Sequence, residues 1–244
     1  MSKLPRSHPR YLSLTQRHRL EEGVKKGITH GQGLIAHGRG EAFDYLLGER
    51  THGFSRRACE AAVALLLLAK KPVISVNGNI AALCPKEIVQ LGKETGAQIE
   101  VNLFYRTRKR EKAIAKELAK YGCRALGVSP DSRIKGLVSG RGKVSSCGIG
   151  SADVVLVPLE DGDRAEALKR AGKKVIAIDL NPMSRTARSG TITIVDNVTR
   201  ALPLMASFAM ELRKRKPAEL ARIVKSFDNK SALREAERKI RKGL

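Results

Sequence analysis

Beyond Pro72 the chain alternates short apolar runs with longer stretches of helical spacing. Val73-Ile74-Ser75-Val76, Gln98 to Phe104, Asp153 to Val157, Lys174 to Ile178 and Thr191 to Val195 have strand length, and Arg124 to Val128 is a weaker candidate. Between them Ile80 to Thr95 (with an irregularity at Cys84-Pro85), Arg108 to Tyr121, Arg164 to Ala171 and Val198 to Lys214 read as helices. Continuous apolar strands need cover on both faces, which crossover helices supply in a parallel sheet. The predicted fold is α/β, a Rossmann-like parallel sheet with helices on both faces, elaborated by helices at the N- and C-terminal ends.

The elaborations carry their own signals. Met1 to Ile28 reads as a tail followed by a helix opened by Ser7-His8-Pro9, with a stripe of Tyr11, Leu14, His18 and Leu20. Gly31 to Gly40 is a glycine-rich stretch, followed by a short helix from Ala42 to Leu47. Ser55 is the expected N-cap of a helix from Arg56 to Lys70. Ser129 to Gly150 lacks periodicity and reads as a loop. Pro217 to Leu244 alternates charge with Leu, Ile, Val and Phe, as one or two amphipathic helices would. The expected organisation is an N-terminal helical segment over residues 1–70, a nucleotide-binding core over 71–215 and basic C-terminal helices over 216–244, packed as one unit.

Composition narrows the class. The 244 residues include 47 Lys and Arg against 24 Asp and Glu, a net charge of +23. Such a charge attracts polyanions, whether phosphorylated metabolites, nucleic acid or anionic membrane. Aromatic residues are only 4% and Trp is absent, so stacking platforms for single-stranded nucleic acid are scarce. Cys59, Cys84, Cys123 and Cys147 are isolated, without a C-x-x-C pair or a Cys/His cluster, as in a reduced cytoplasmic protein. The longest apolar run, Ala61 to Ala69, is far shorter than the roughly 20 residues of a membrane span. Charged residues throughout the first thirty positions argue against a signal peptide. These features predict a soluble cytoplasmic protein.

In an open α/β sheet, ligands bind beyond the carboxyl ends of the strands. The residues there are polar and glycine-rich. Asn77-Gly78-Asn79 follows the first strand, where glycine permits close backbone approach to an anion and Asn79 is equally suited to cap the next helix. Tyr105 and Arg106 follow the second, and an arginine fork there matches phosphate or carboxylate. Glu160, Asp161 and Asp163 cluster after Val157, either as a magnesium or amine site or as an acidic first helical turn. Asp179 ends the next strand, placed to accept from a ribose hydroxyl, and Arg185 and Arg188 share a helical face. Asp196-Asn197-Val198 repeats the pattern after Val195.

Two familiar phosphate devices are absent, the G-x-x-x-x-G-K-[ST] loop and a G-x-G-x-x-G between first strand and helix. The five histidines, His8, His18, His30, His37 and His52, suit no metal spacing, and no protein ligand to a metal is assigned. His37, within His37-Gly38-Arg39-Gly40-Glu41, has the most site-like surroundings.

Longer motifs run through these positions. Ser7-His8-Pro9-Arg10-Tyr11, the segment Gly33 to Leu46, Ser75 to Asn79, Val101 to Thr107, Val157 to Arg164 and Ile178 to Pro182 resemble the archaeal phosphopantothenate synthetase family from about Ser7 to about Ala201. The resemblance implies a homodimeric Rossmann-like enzyme of coenzyme A biosynthesis. It would join 4-phosphopantoate to β-alanine while ATP, with Mg2+, becomes AMP and pyrophosphate. Carried over residue by residue, it implies ATP contacts at Arg17, Arg39, Asp179, Leu180, Asn181, Arg185, Thr186, Asn197 and Val198. His37, Asn77, Gly78, Asn79, Tyr105, Arg106, Glu160 and Asp161 are the substrate-side candidates.

The family reaction would fit these residue types. Arg17, Arg39 and Arg185 suit three anionic reactants, Arg106 and the Asn77–Asn79 turn suit the phosphopantoate phosphate and hydroxyl, and Glu160 or Asp161 suits an ammonium or a metal. The competing class is a nonenzymatic nucleic-acid-binding protein. The surplus charge between Arg106 and Lys143 and beyond Arg213 favours it, at least as nonspecific polyanion binding, while the lack of any binding motif counts against it. A Rossmann oxidoreductase would need the glycine fingerprint that is missing.

Overall fold

The computed structural model describes residues 5–243. Its centre is a sheet of five parallel strands, β1 (Pro72–Val76), β2 (Gln98–Val101), β5 (Val154–Pro158), β6 (Lys174–Ile178) and β7 (Ile192–Ile194), in the order β2-β1-β5-β6-β7. A short antiparallel pair, β3 (Ser132–Arg133) and β4 (Lys143–Val144), lies outside it. The predicted second strand stops at Val101, although the Asn102 N–H still donates to the Val76 carbonyl of β1 at 2.9 Å. The weak strand at Arg124 to Val128 is a single bridge between Glu100 and Leu126.

Period-two alternation decides which helices cover each face. Ile74, Val76, Leu156, Ile176 and Ile178 point to a cluster with α3 (Gly53–Leu68), α4 (Gly78–Leu83), α5 (Pro85–Thr95), α6 (Arg108–Ala119) and α9 (Val198–Leu212). Val73, Val155, Val157, Val175 and Ala177 point the other way, onto α7 (Gly162–Arg170). That second face is completed by Ile134, Leu137, Val144 and Ile149, so the predicted loop from Ser129 to Gly150 is built into the core. Glu100, buried in β2, fastens it by accepting the N–H groups of Ser145 and Ile149 at 2.9 and 2.7 Å. The predicted break at Cys84-Pro85 separates α4 from α5.

The N-terminal region departs from expectation. Residues 1–4 of the predicted tail lie outside the described residues. Of the predicted stripe, helix α1 (Tyr11–Lys25) buries Leu20 fully and Tyr11 and Leu14 in part, while His18 is exposed; Ser13, Gln16 and Gly23 complete the buried face. The glycine-rich stretch is itself helical, so the helix predicted from Ala42 to Leu47 starts earlier, as α2 (Gly31–Leu46). Glycine is a poor helix former, but at Gly33 its missing side chain is what packing requires. A Cβ at Gly33 would lie 2.4 Å from Asn79 Oδ1. Ser55 is not an N-cap. Helix α3 starts at Gly53 after His52, and the Ser55 hydroxyl donates to the Val195 carbonyl at 2.6 Å. Helices α8 (Arg185–Ser189), α10 (Pro217–Ser226) and α11 (Asn229–Lys242) complete the chain. Leu233 and Ala236 of α11 pack with Leu180, Ala187 and Val195.

Candidate functional site

Strand register aligns the carboxyl ends. Val76 pairs with Val101, and Pro158 with Ile178, which pairs with Ile194. Asn77, Asn102, Leu159, Asp179 and Val195 therefore emerge along one edge. The chain adds β2 on one side of β1 and β5, β6 and β7 on the other, so the gap between β1 and β5 is the topological switch point.

At the β6–β7 end, Asp179 is largely buried. Its Oδ1 accepts from the Asn181 N–H at 3.0 Å, and its Oδ2 accepts from the Ser184 hydroxyl at 2.5 Å. Burial raises its pKa, while Ser184, Asn181 and the nearby Arg39 pull the other way. Leu180 is buried, and a Cβ at Gly40 would touch it, so α2 lies along this turn. Asn197 caps α9 through the Thr199 N–H, and its Nδ2 donates to Asp44 at 2.9 Å and Gln16 at 3.2 Å. Val198 follows as the first residue of α9. Arg200 completes the buried network with Asp44 and Asp196.

Arg17, His37 and Arg39 join this end from α1 and α2. Arg17 pairs with Glu41 at 3.0 Å. Arg39 is exposed. His37 is half-buried, its Nε2 lacks a hydrogen-bond partner within the described residues, and burial lowers its pKa. Arg185 extends over the surface to Asp163 and Glu166, both at 2.9 Å. Thr186 is buried and donates to the Glu160 carbonyl at 3.0 Å. Nine positions singled out on the nucleotide side and His37 are thus gathered around the β6–β7 end, with Arg185 and Thr186 facing the turn after β5.

At the β1–β2–β5 end the substrate-side candidates divide. Asn77 is committed to structure. Its Oδ1 caps α4, and its Nδ2 donates to the Pro158 and Leu159 carbonyls at 3.0 and 3.1 Å. This holds Leu159 at φ 52°, an uncommon conformation for a side-chain-bearing residue. Gly78 is buried against the Ile28 backbone and the Arg110 guanidinium, and Asn79 is buried where it donates to the Gly33 carbonyl of α2. Tyr105 is exposed and stacks on His30, ring centroids 4.3 Å apart. Arg106 folds back to Glu111 at 3.0 Å and donates to the Lys143 carbonyl at 3.2 Å.

Glu160 is paired with both Arg141 and Arg164. Asp161 is half-exposed and caps α7 by accepting the Arg164 N–H at 2.9 Å. Arg164, Arg141 and Asn102 were not legible as site residues. Arg164 had a local signal, its i,i+4 spacing from Glu160. Arg141 and Asn102 meet only through the fold, where Asn102 Nδ2 donates to the carbonyls of Arg141 and Lys143, both at 3.1 Å. Among the described residues no three His, Cys, Asp or Glu side chains converge to hold a metal, and no helix is long and apolar enough to cross a membrane.

A doubly wound sheet whose carboxyl edge carries capped turns at one end and an arginine–carboxylate crevice at its switch point defines an α/β protein equipped for anionic ligands. More particularly, the chain belongs to the phosphopantothenate/pantothenate synthetase family, whose model matches residues 54–243. It is 57% identical over 235 residues to a protein of Thermococcus kodakarensis named 4-phosphopantoate–beta-alanine ligase, covering 96% of this chain and 90% of that one. Proteins with the same name from Thermococcus onnurineus and Methanosarcina mazei are 56% and 54% identical, covering all of this chain and 94% and 96% of theirs. The likeness continues through the C-terminal helices, beyond Ala201 where the recognised motifs end.

Proposed function

We propose that the chain is an ATP-dependent ligase that condenses 4-phosphopantoate with β-alanine to give 4-phosphopantothenate, AMP and pyrophosphate. The observation that carries this reading is the end-to-end likeness to relatives bearing that ligase name. The edge geometry supports it. Asp179, Leu180, Asn181, Asn197 and Val198 would hold the adenosine, with Asp179 accepting from ribose hydroxyls and the Val198 N–H at the start of α9 as a backbone donor. Arg17, Arg39, Arg185 and Thr186 would meet the phosphates. The arginine-rich crevice would hold phosphopantoate.

A carboxylate is a poor electrophile and must be activated. One of its oxygens attacks the α-phosphorus, the bond to the bridging oxygen breaks, and pyrophosphate leaves. The β-alanine amine then attacks the acyl carbon, AMP leaves, and the nitrogen gives up a proton. The chain's role is to hold the reactants in line and offset charge. Asp161 retains the exposure needed to meet the β-alanine ammonium, whereas Glu160 is enclosed by its two arginines. As no carboxylates converge on a cation among the described residues, Mg2+ would be carried on the ATP phosphates and water, where it would neutralise phosphate charge.

The enzyme is proposed to act in the cytoplasm as a homodimer. Helix α2 supports the dimer, because it buries Glu41 and Asp44 while exposing Leu34, Ile35, Tyr45 and Leu46. Incubation with ATP, β-alanine and 4-phosphopantoate tests the function, with AMP and pyrophosphate expected in equal amounts. Pyrophosphate–ATP exchange that requires 4-phosphopantoate but not β-alanine tests the adenylate. ADP and phosphate as products would remove the adenylate step, and no turnover would remove the function.

A further inference from the structure

Glu160 is one carboxylate between two guanidiniums. Its side chain is 2% exposed, that of Arg164 is 0% and that of Arg141 is 10%. A buried carboxylate needs one well-placed guanidinium to offset its charge, so the second is available for another anion. Arg164 is the fixed partner. It lies in α7 four residues after Glu160, donates to Ser75 Oγ at 3.0 Å, and leaves Nε and Nη2 without a hydrogen-bond partner within the described residues. Arg141 is the movable one. It rides on the single turn Gly140–Gly142, and its other acidic contact is the half-exposed Asp161, at 3.4 Å from Nε. Its Nε and Nη1 are in ion-pair contact only, without hydrogen-bond geometry.

The backbone of that turn is nevertheless pinned. Asn102 holds the carbonyls of Arg141 and Lys143, Arg106 donates to the Lys143 carbonyl, and the Phe104 ring lies beneath the Arg141 guanidinium at 5.7 Å. Asn102 Oδ1 is itself buried without a partner. That oxygen calls for a donor, whereas the unpartnered guanidinium N–H groups of Arg141 and Arg164 call for a ligand that brings acceptor oxygens.

We propose that Arg141 recognises the phosphate monoester of 4-phosphopantoate, exchanging the Glu160 carboxylate for the ligand phosphate while Arg164 keeps Glu160 paired. This assignment rests on the ligase reading. It leaves three charges partnered: Glu160 with Arg164, the phosphate with Arg141, and the β-alanine ammonium with Asp161. Burial and the like charge of Arg164 pull the pKa of Arg141 down to about 10, and a dianion would relieve that penalty. Asn102 is then a positioning residue that sets the turn beneath Arg141.

The test compares wild type with Arg141→Ala and Arg141→Lys, using 4-phosphopantoate and unphosphorylated pantoate. Arg141→Ala should raise KM for 4-phosphopantoate about ten- to hundred-fold, the range for a lost charge-assisted hydrogen bond. KM for ATP and β-alanine should stay near wild type. In calorimetric titrations wild type should prefer 4-phosphopantoate to pantoate, and the alanine variant should lose that preference. Arg141→Lys keeps charge without the fork, so a partial loss is expected, and it decides the matter should the alanine variant not fold. A preference unchanged in the folded variants, or an equal KM rise for all three substrates, overturns the assignment. Binding that depends on Arg141 in a protein without turnover would sustain this site and overturn the ligase reading instead.

Discussion

The Thr186 hydroxyl donates to the Glu160 carbonyl at 3.0 Å, joining the turn after β5 to the helix after β6. The two proposed subsites are therefore tied to each other by this bond. Gly162 lies at the same junction, where a Cβ would fall 2.5 Å from Arg185 Cβ.

Gly162→Ala should consequently push α8 away from α7. Overpacking of this kind costs about 1–3 kcal/mol. A lower Tm is expected, with kcat falling more than the Tm loss explains, because both subsites shift relative to each other. Wild-type kcat and Tm would show that the junction tolerates the displacement.

Arg39 and Asp179 should separate binding from stability. Arg39 is exposed, and such substitutions stay within about 0.5 kcal/mol of wild-type stability. Arg39→Ala should raise KM for ATP at least tenfold with Tm within about 2 °C of wild type. Asp179→Ala should raise KM for ATP as well, with less effect on that for β-alanine, and should lower Tm because Ser184 and Asn181 lose their acceptor. Nucleotide titrations unchanged in both variants would move the ATP site elsewhere.

Asn197 donates to Asp44 inside the fold, so charge at this position matters. Asn197→Ala loses a helix cap, worth about 1–2 kcal/mol. Asn197→Asp keeps capping capacity but sets a second carboxylate against Asp44. At neutral pH the aspartate variant should be the less stable of the two in denaturant titration, the reverse of what capping alone predicts.

His37 should give stability a pH dependence. Its folded pKa is depressed by burial and by Arg17, although Glu41 and Asp44 oppose this. The unfolded chain therefore binds a proton more readily, and stability is lost as pH falls from the ordinary histidine value of about 6.5 through the folded pKa. His37→Gln should flatten the decline of Tm between neutral and mildly acidic pH. Parallel profiles for variant and wild type would assign the decline to other groups.

The parallel sheet was legible because its signals are local. Runs such as Lys174 to Ile178 are apolar on both faces, and that pattern has few solutions other than a covered strand. Asp179 and Asn197 were legible for the same reason, since a polar residue directly after such a strand must emerge at the carboxyl edge. What α2 does was not legible. Gly33, Gly38 and Gly40 weaken a helix in isolation, and only the approach of Asn79 shows why Gly33 has no side chain, while nothing crowds Gly38. The burial of Glu41 and Asp44 on that helix likewise reverses its expected polarity, because their partners Arg17, Asn197 and Arg200 come from elsewhere in the chain.

By itself, then, the order of residues determined the strands, their polar carboxyl ends and the family likeness, all properties of neighbours along the chain. Tertiary structure alone decided that Arg141 reaches Glu160 and that Asn102 holds the Arg141 turn. Charge pairing and hydrogen bonding depend on distances of a few ångströms in space. Residues 19 and 39 positions apart acquire such distances only when the sheet register and the β3–β4 segment are in place.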